Sequence, residues 1–435
     1  MTDAVQLSAA SPKRRAAMPF IMATVLIDMV AIGLIIPVLP PLVGTFTGSQ
    51  AAQAFWYGTI AVAFGIANFF ASPVLGRLSD RYGRRPVLLM GFAGFALSFF
   101  VTGLATSLWM LVVVRIFSGA LQSNVAIANA YVADITPPAE RAKAFGKLGA
   151  MLGMGFILGP VLGGLLGGYN LHLPFFVSGT LACINWLYGW FVLPESLPPE
   201  RRRPFVLREA NPISSLRGLA ELKGVGSLVL VLAFSALAQF MTHTSWVLYT
   251  TFKFGWGPTQ NGWSLFTIGL MSVLVQGVLL GRLLKRFSPQ RLAIMGLVSS
   301  SLCYVLWGAA PEGWMLYVAI VANVLGFAAP AAMQSIISNA ADPSTQGRTA
   351  GAVASLNSMM AVLAPMIGAP LLATVSHLPH GDWRIGAPMY FCALLQAGSM
   401  LVALRHFRHA RRTREANAEP ALETTRETVA AGSPS

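Results

Sequence analysis

The sequence predicts an all-α membrane protein: twelve transmembrane helices in two pseudo-symmetric six-helix bundles. Three observations carry that prediction. Composition is the first: 55% of residues are hydrophobic, only 11% are charged, and mean hydropathy is +0.63. A soluble domain carries about 25% charged residues, so lipid is the expected solvent. The second is a series of apolar runs, each near the ~20 residues that a spanning helix needs. The third is an internal repeat at an offset of 205 residues.

The predicted spans are 18–43, 56–75, 87–104, 108–133, 146–167, 174–193, 225–250, 261–281, 291–309, 314–336, 350–374 and 385–404. The first follows Lys13, Arg14 and Arg15. It is too long for a signal-peptide core and contains Asp28, so it reads as a retained span. With residues 1–17 placed inside as a cytoplasmic tail, the inner segments hold 27 of the 30 Lys and Arg residues. The outer loops hold Lys253 and Arg384, and Arg115 lies within a span. That asymmetry sets both termini on the cytoplasmic side. Residues 194–224, basic and Pro-rich, read as a cytoplasmic linker between bundles 18–193 and 225–404. The tail 405–435 is expected to be disordered.

The repeat appears at several places. Gly76-Arg77-Leu78 returns as Gly281-Arg282-Leu283, and Arg81-Tyr82 as Arg286-Phe287. Gly159-Pro160-Val-Leu-Gly163-Gly164 returns as Ala364-Pro365-Met-Ile-Gly368-Ala369. A duplicated six-helix unit with a cavity between the copies follows. Lys285 stands where the first copy has Asp80, so the halves are not equivalent.

The same reading excludes other classes. Net charge is +14, yet the basic residues sit in short loops between apolar runs, which suits anionic lipid head groups rather than nucleic acid. Cys183, Cys303 and Cys392 lie apart inside apolar runs and read as packing residues. No phosphate-binding glycine loop, nucleophile–base signature or metal-ligand cluster is present. These absences argue against an enzyme and against ATP as an energy source; no cofactor is expected, and the chain is expected to act as a monomer.

Three blocks resemble a known family. Gly76-x-x-x-Asp80-Arg81-x-Gly83-Arg84-Arg85 resembles the cytoplasmic loop signature of the major facilitator superfamily. Gly155-x-x-x-Gly159-Pro160-x-x-Gly163-Gly164 resembles the fifth-helix signature of its drug/proton antiporters. Asp28-x-x-x-x-Gly33-Leu-Ile-Ile-Pro37-Val-Leu-Pro40, with Tyr131-Val-Ala-Asp134, is similar to the tetracycline-resistance efflux branch. The resemblance implies efflux of an amphipathic drug or antibiotic across the inner membrane in exchange for protons. In tetracycline exporters, aspartates are expected within the third and ninth helices and a histidine in the eighth. An ungapped alignment puts Ser98, Ser300 and Ser272 there, which weakens the case for tetracycline itself. A sugar or carboxylate permease and a non-transporting ligand sensor are the alternative readings.

The candidate sites follow from placement. Asp28 lies near mid-membrane, where a charged carboxylate costs at least about 2.5 kcal/mol. It is the expected proton carrier, with Arg115 as its partner; a static ion pair that fixes packing is the bland alternative. Asp80, Arg84 and Asp134, with Gly76, Gly83 and Arg85, are expected to latch the closed inner side and to break when it opens. Gly155, Gly159, Pro160, Gly163 and Gly164 should give the fifth helix a smooth, kinked face. Gln122, Ser123 and Asn124 are the leading substrate contacts, followed by Gln239, His243 and Asn357. Each alone is more often helix-to-helix glue. Trp246, Phe240 and Phe266 offer aromatic faces to a flat ligand.

Overall fold

A computed structural model describes residues 12–122, 124–206, 226–340 and 346–431 of the chain. Twelve spanning elements follow the predicted runs. The first bundle holds α1 (Pro12–Ile35, extended by Leu39–Gly44), α2 (Gln50–Tyr82) and α3 (Arg84–Gly103). It continues with α4 (Leu108–Leu121 then Asn124–Ile135), α5 (Arg141–Tyr169) and α6 (Leu173–Val192). The second holds α7 (Gly226–Phe254), α8 (Pro258–Leu274, Val275–Leu279 and Leu280–Arg286) and α9 (Pro289–Ala309). It ends with α10 (Trp314–Ala322 then Val324–Ala340), α11 (Gln346–Val375) and α12 (Ala387–Ala431). Among the described residues eleven helices are long and apolar enough to span, and the bent pair in α10 makes the twelfth. The protein is a multi-pass membrane protein.

The helix starts follow from local chemistry. Ser49, Ser107 and Ser288 precede α2, α4 and α9, and their hydroxyls accept the amides of Ala52, Met110 and Arg291 at 3.2, 3.3 and 3.4 Å. Each serves one amide that lacks an intrahelical partner. The breaks are informative too. Pro37 and Pro40 interrupt α1, α4 breaks at Gln122, and α10 bends by 45° beside Asn323. The middle segment of α8, Val275–Leu279, is a π-turn, a form often found at functional sites.

One charge lies elsewhere than its place in the sequence suggests. Lys253 is not in an outer loop. It is fully buried at the end of α7, where its Nζ donates to the Gly308 carbonyl at the end of α9. The rings of Tyr249 and Phe254 lie 5.7 and 5.6 Å away. A long stem lets a lysine at a helix end reach back to a carbonyl. Beyond the last predicted span, α12 continues as helix through Ala431. Its Ala-, Glu- and Arg-rich sequence favours helix, and the membrane segment supplies the nucleus. Most of the linker, residues 207–224, lies outside the described residues.

The two bundles meet along α5 with α8 and α2 with α11. At the end away from the basic loops these contacts are tight. An added Cβ at Gly164 would lie 2.6 Å from the Pro258 carbonyl oxygen, and one at Gly58 would lie 2.4 Å from Ala369 Cβ. Thr259 Oγ1 donates to the Gly164 carbonyl at 3.1 Å. The two bundles are therefore closed against each other at the far end. A Cβ added at Gly76, Gly146, Gly149, Gly277, Gly281 or Gly351 would meet nothing within 4 Å. Gly76 does not mediate a close approach in this conformation.

Candidate functional site

A cavity of about 500 Å³ lies between the bundles, lined by α1, α2, α3, α4, α5, α7, α8 and α11. Its walls are mostly apolar and aromatic, with Phe64, Phe95, Phe99, Phe156, Phe240 and Trp246 among them. The polar groups are few: Tyr57, Asn68, Arg115, Ser118, Gln122, Thr242, His243, Thr244, Asn357 and Ser358. An apolar pocket with a few placed polar groups is the usual form of a small-molecule site. Both bundles contribute. His243 on α7 faces Phe156 on α5, with ring centroids 6.3 Å apart.

Of the expected contacts, Gln122, His243 and Asn357 line this cavity. At the break in α4, the Gln122 carbonyl accepts Asn68 Nδ2 at 2.6 Å. Gln239 is exposed and off the wall, and Ser123 lies outside the described residues. Asn124 turns the other way, into the first bundle, because the break at Gln122 redirects the following segment. Phe240 and Trp246 are on the wall, whereas Phe266 packs against Trp263. Tyr57 was not anticipated from sequence, since one tyrosine in an apolar run has no distinguishing pattern.

Asp28 is 4% exposed. Asn124 Nδ2 donates to its two oxygens at 3.3 and 3.4 Å. Around them lies a small pocket of Thr24, Leu88, Phe92, Val125 and Ala128, separate from the central cavity. The expected partner, Arg115, is elsewhere. It precedes Asn124 by nine residues, about 14 Å along a helix, and it faces the cavity. Asp28 and Arg115 do not form an ion pair.

The Gly76–Arg85 loop builds a charge cluster. Arg84 Nη1 meets Asp80 Oδ1 at 2.6 Å, and Arg84 Nε donates to Asp134 Oδ2 at 3.1 Å. Ser196 Oγ adds a bond to Asp134 at 3.2 Å. Asp80, Arg84 and Asp134 belong to the first bundle, and Ser196 to the connection that follows it. The cluster ties the turn between α2 and α3 to the end of α4. Arg85 Nη2 donates to the Trp190 carbonyl.

Glu195 completes this region and was missed in the sequence, where it is one carboxylate at the start of a basic linker. It accepts the amides of Arg84 and Arg85 at 2.8 and 3.2 Å, capping α3. The amides of Ser196 and Leu197 also donate to it, both at 3.0 Å. Gly83 is required here twice over. Its φ is +107°, and an added Cβ would sit 2.3 Å from Glu195 Oε2. Glu195→Ala is expected to cost about 1–2 kcal/mol, seen as a lower thermal midpoint of the purified protein in detergent.

The α5 motif resolves into two faces. Gly155, Gly159 and Gly163 recur every four residues and so share one face. They meet Met29, Gly33 and Leu34 of α1, with added-Cβ distances of 2.4, 2.6 and 2.0 Å. Gly164 and Gly168 face Pro258, Thr259 and Gly262 of α8 in the other bundle. The helix continues unbroken through Pro160.

The sequence matches the Major Facilitator Superfamily over residues 21–365 and again over 228–430. The chain belongs to that superfamily. The second match starts near the beginning of α7, in keeping with the internal repeat. A tetracycline resistance protein, class C, from Escherichia coli is 36% identical over 383 residues, covering 88% of this chain and 96% of that one. Among solved structures, the human organic anion transporter MFSD10 (TETRAN) superposes with a TM-score of 0.65 at 22% identity, over 90% of this chain and 100% of that chain. A bacterial homologue of the human lysosomal transporter Spinster, in an inward-facing and occupied conformation, gives 0.71 at 15% identity, over 92% and 98%. These likenesses establish the major facilitator fold. Membership makes the protein a secondary transporter of small molecules rather than an enzyme.

Proposed function

We propose that this transporter exports an amphipathic small molecule, of the drug or antibiotic type, in exchange for protons. Two homologous bundles would rock about the central cavity, in the inner membrane, with both termini and the basic loops in the cytoplasm. The end at which the bundles are closed against each other then faces outward. The positive-inside distribution of Lys and Arg supports that orientation. The 36% identity to a tetracycline resistance protein supports the efflux direction and the antibiotic class.

The observation that carries the reading is Asp28, buried within the first bundle beside Asn124 and apart from the cavity. A charge in a membrane interior is costly, so such a carboxyl group marks a proton or ion pathway by default. Keeping it off the cavity wall lets proton and cargo bind at different places and be linked through bundle movement. Ser98 is buried within its bundle, Ser272 accepts a bond from Gln276 at 2.8 Å, and none of Ser98, Ser272 and Ser300 lines the cavity. Selection among tetracyclines and other flat amphipaths therefore falls to the wall residues present.

The test is transport into inverted vesicles from an efflux-deficient host, with fluorescent tetracycline and a panel of amphipathic dyes. The expected result is uptake that depends on the pH gradient and collapses with a protonophore. Transport that persists without the gradient would remove the proton coupling.

A further inference from the structure

We propose that the cavity takes an amphipathic aromatic anion, whose acidic group sits against Arg115. This deepens the export reading by naming the charge class of its substrate.

Three features of the site carry it. Arg115 is the one permanently charged side chain on the cavity wall among the described residues. Among the described residues no carboxylate lines the cavity, and Asp28, the acid expected to neutralise Arg115, is bonded to Asn124 outside it. Arg115 is 8% exposed, and its Nε and Nη2 have no hydrogen-bond partner. Almost every buried polar group in a protein is bonded, and a buried, unpaired guanidinium is among the costlier exceptions. A guanidinium presents a planar fork that matches a carboxylate, sulfonate or enolate.

The surroundings fix the rest of the ligand. Tyr57 lies within electrostatic range of Arg115 and offers a hydroxyl on the same wall. Ser118, one turn on, is also on that wall. The remainder is lined by Phe64, Phe95 and Phe99 on this side, and by Phe240 and Trp246 opposite. A hydrated inorganic anion would satisfy the guanidinium and leave those rings uncovered. A cation would meet the ring faces only by approaching a positive charge in low dielectric. A flat anion satisfies both at once.

The experiment measures binding to purified protein in phosphatidylcholine nanodiscs, by quenching of intrinsic tryptophan fluorescence. The probes are 2-naphthoate, its methyl ester and a naphthylmethyl trimethylammonium cation, which share a ring system and differ in charge. Naphthoate is expected to bind about tenfold or more tightly than either. Inorganic phosphate at the same concentration should not displace it. Arg115→Gln should abolish the preference, and Arg115→Lys should retain part of it, provided both variants elute as monodisperse protein. Lys also guards against the case in which Gln fails to fold. Binding of the ester or cation as tight as that of naphthoate overturns the proposal, as does no binding of naphthoate, displacement by phosphate, or a preference that survives Arg115→Gln. Counterflow of the same probes in proteoliposomes is read separately. Anion-selective binding without counterflow would sink the export reading and leave the anion site standing.

Discussion

Asp28→Asn is expected to abolish pH-driven accumulation while leaving substrate binding and downhill exchange in place. Asparagine matches aspartate in shape and can still accept the Asn124 amide, which now lies 3.3 Å from Asp28 Oδ1. What it cannot do is change charge. The cost of the charged form in a span is at least about 2.5 kcal/mol, roughly 70-fold in an equilibrium constant. That difference is what a proton carrier can lend to a conformational equilibrium, and asparagine removes all of it. Because Asp28 does not line the cavity, ligand affinity should change little. Proteoliposomes loaded with substrate separate the two quantities: accumulation under an imposed pH gradient, and counterflow with no gradient. Retained pH-driven accumulation would show that protons use another route. Loss of counterflow as well would show that Asp28 holds the fold or the cavity instead.

How much of this was readable beforehand depends on what kind of signal each feature leaves. Spans announce themselves by length and apolarity, and Arg, Lys and Gly occur at repeated offsets, so helix count and duplication follow from the chain alone. The cluster of Asp80, Arg84 and Asp134 was also legible, because carboxylates among basic loop residues stand out. Pairing across the membrane interior was not. Asp28 and Arg115 are opposite charges on adjacent helices, and nothing in one dimension shows that α4 breaks at Gln122. That break points Asn124 toward Asp28 and leaves Arg115 facing the cavity. Tyr57 and Glu195 were invisible for a related reason: each is a single common residue whose role comes from a neighbour more than 50 positions away. Lys253 looked like a loop residue because its charge hid the fact that α7 continues through it.

The glycines of α5 give the second large effect, because neighbours in sequence serve different interfaces. Gly163→Ala places a methyl 2.0 Å from the Leu34 carbonyl oxygen and 2.8 Å from Leu34 Cα. Those atoms are backbone of α1, in the same bundle, and cannot step aside. Overpacking of this kind costs about 1–3 kcal/mol or more, so little monodisperse protein and a sharply lowered thermal midpoint are expected. Gly164→Ala places a methyl 2.6 Å from the Pro258 carbonyl oxygen and 2.9 Å from Gly262 Cα. Those atoms belong to α8, in the other bundle, and the clash exists only while the far end is closed. Opening that end relieves it. The variant should therefore fold with a nearly unchanged midpoint but shift toward conformations open at the far end, by about 5- to 150-fold for the same 1–3 kcal/mol. Spin labels at Tyr169→Cys and Trp263→Cys, both exposed near that end, report it as a longer interlabel distance in a background without the three native cysteines. If both variants fold alike and give the wild-type distance, the division of the motif into an intra-bundle face and an inter-bundle face is wrong. If Gly164→Ala alone lengthens the distance, one residue on α5 sets the balance between the two sides of the transport cycle, and the adjacent one sets whether the bundle forms at all.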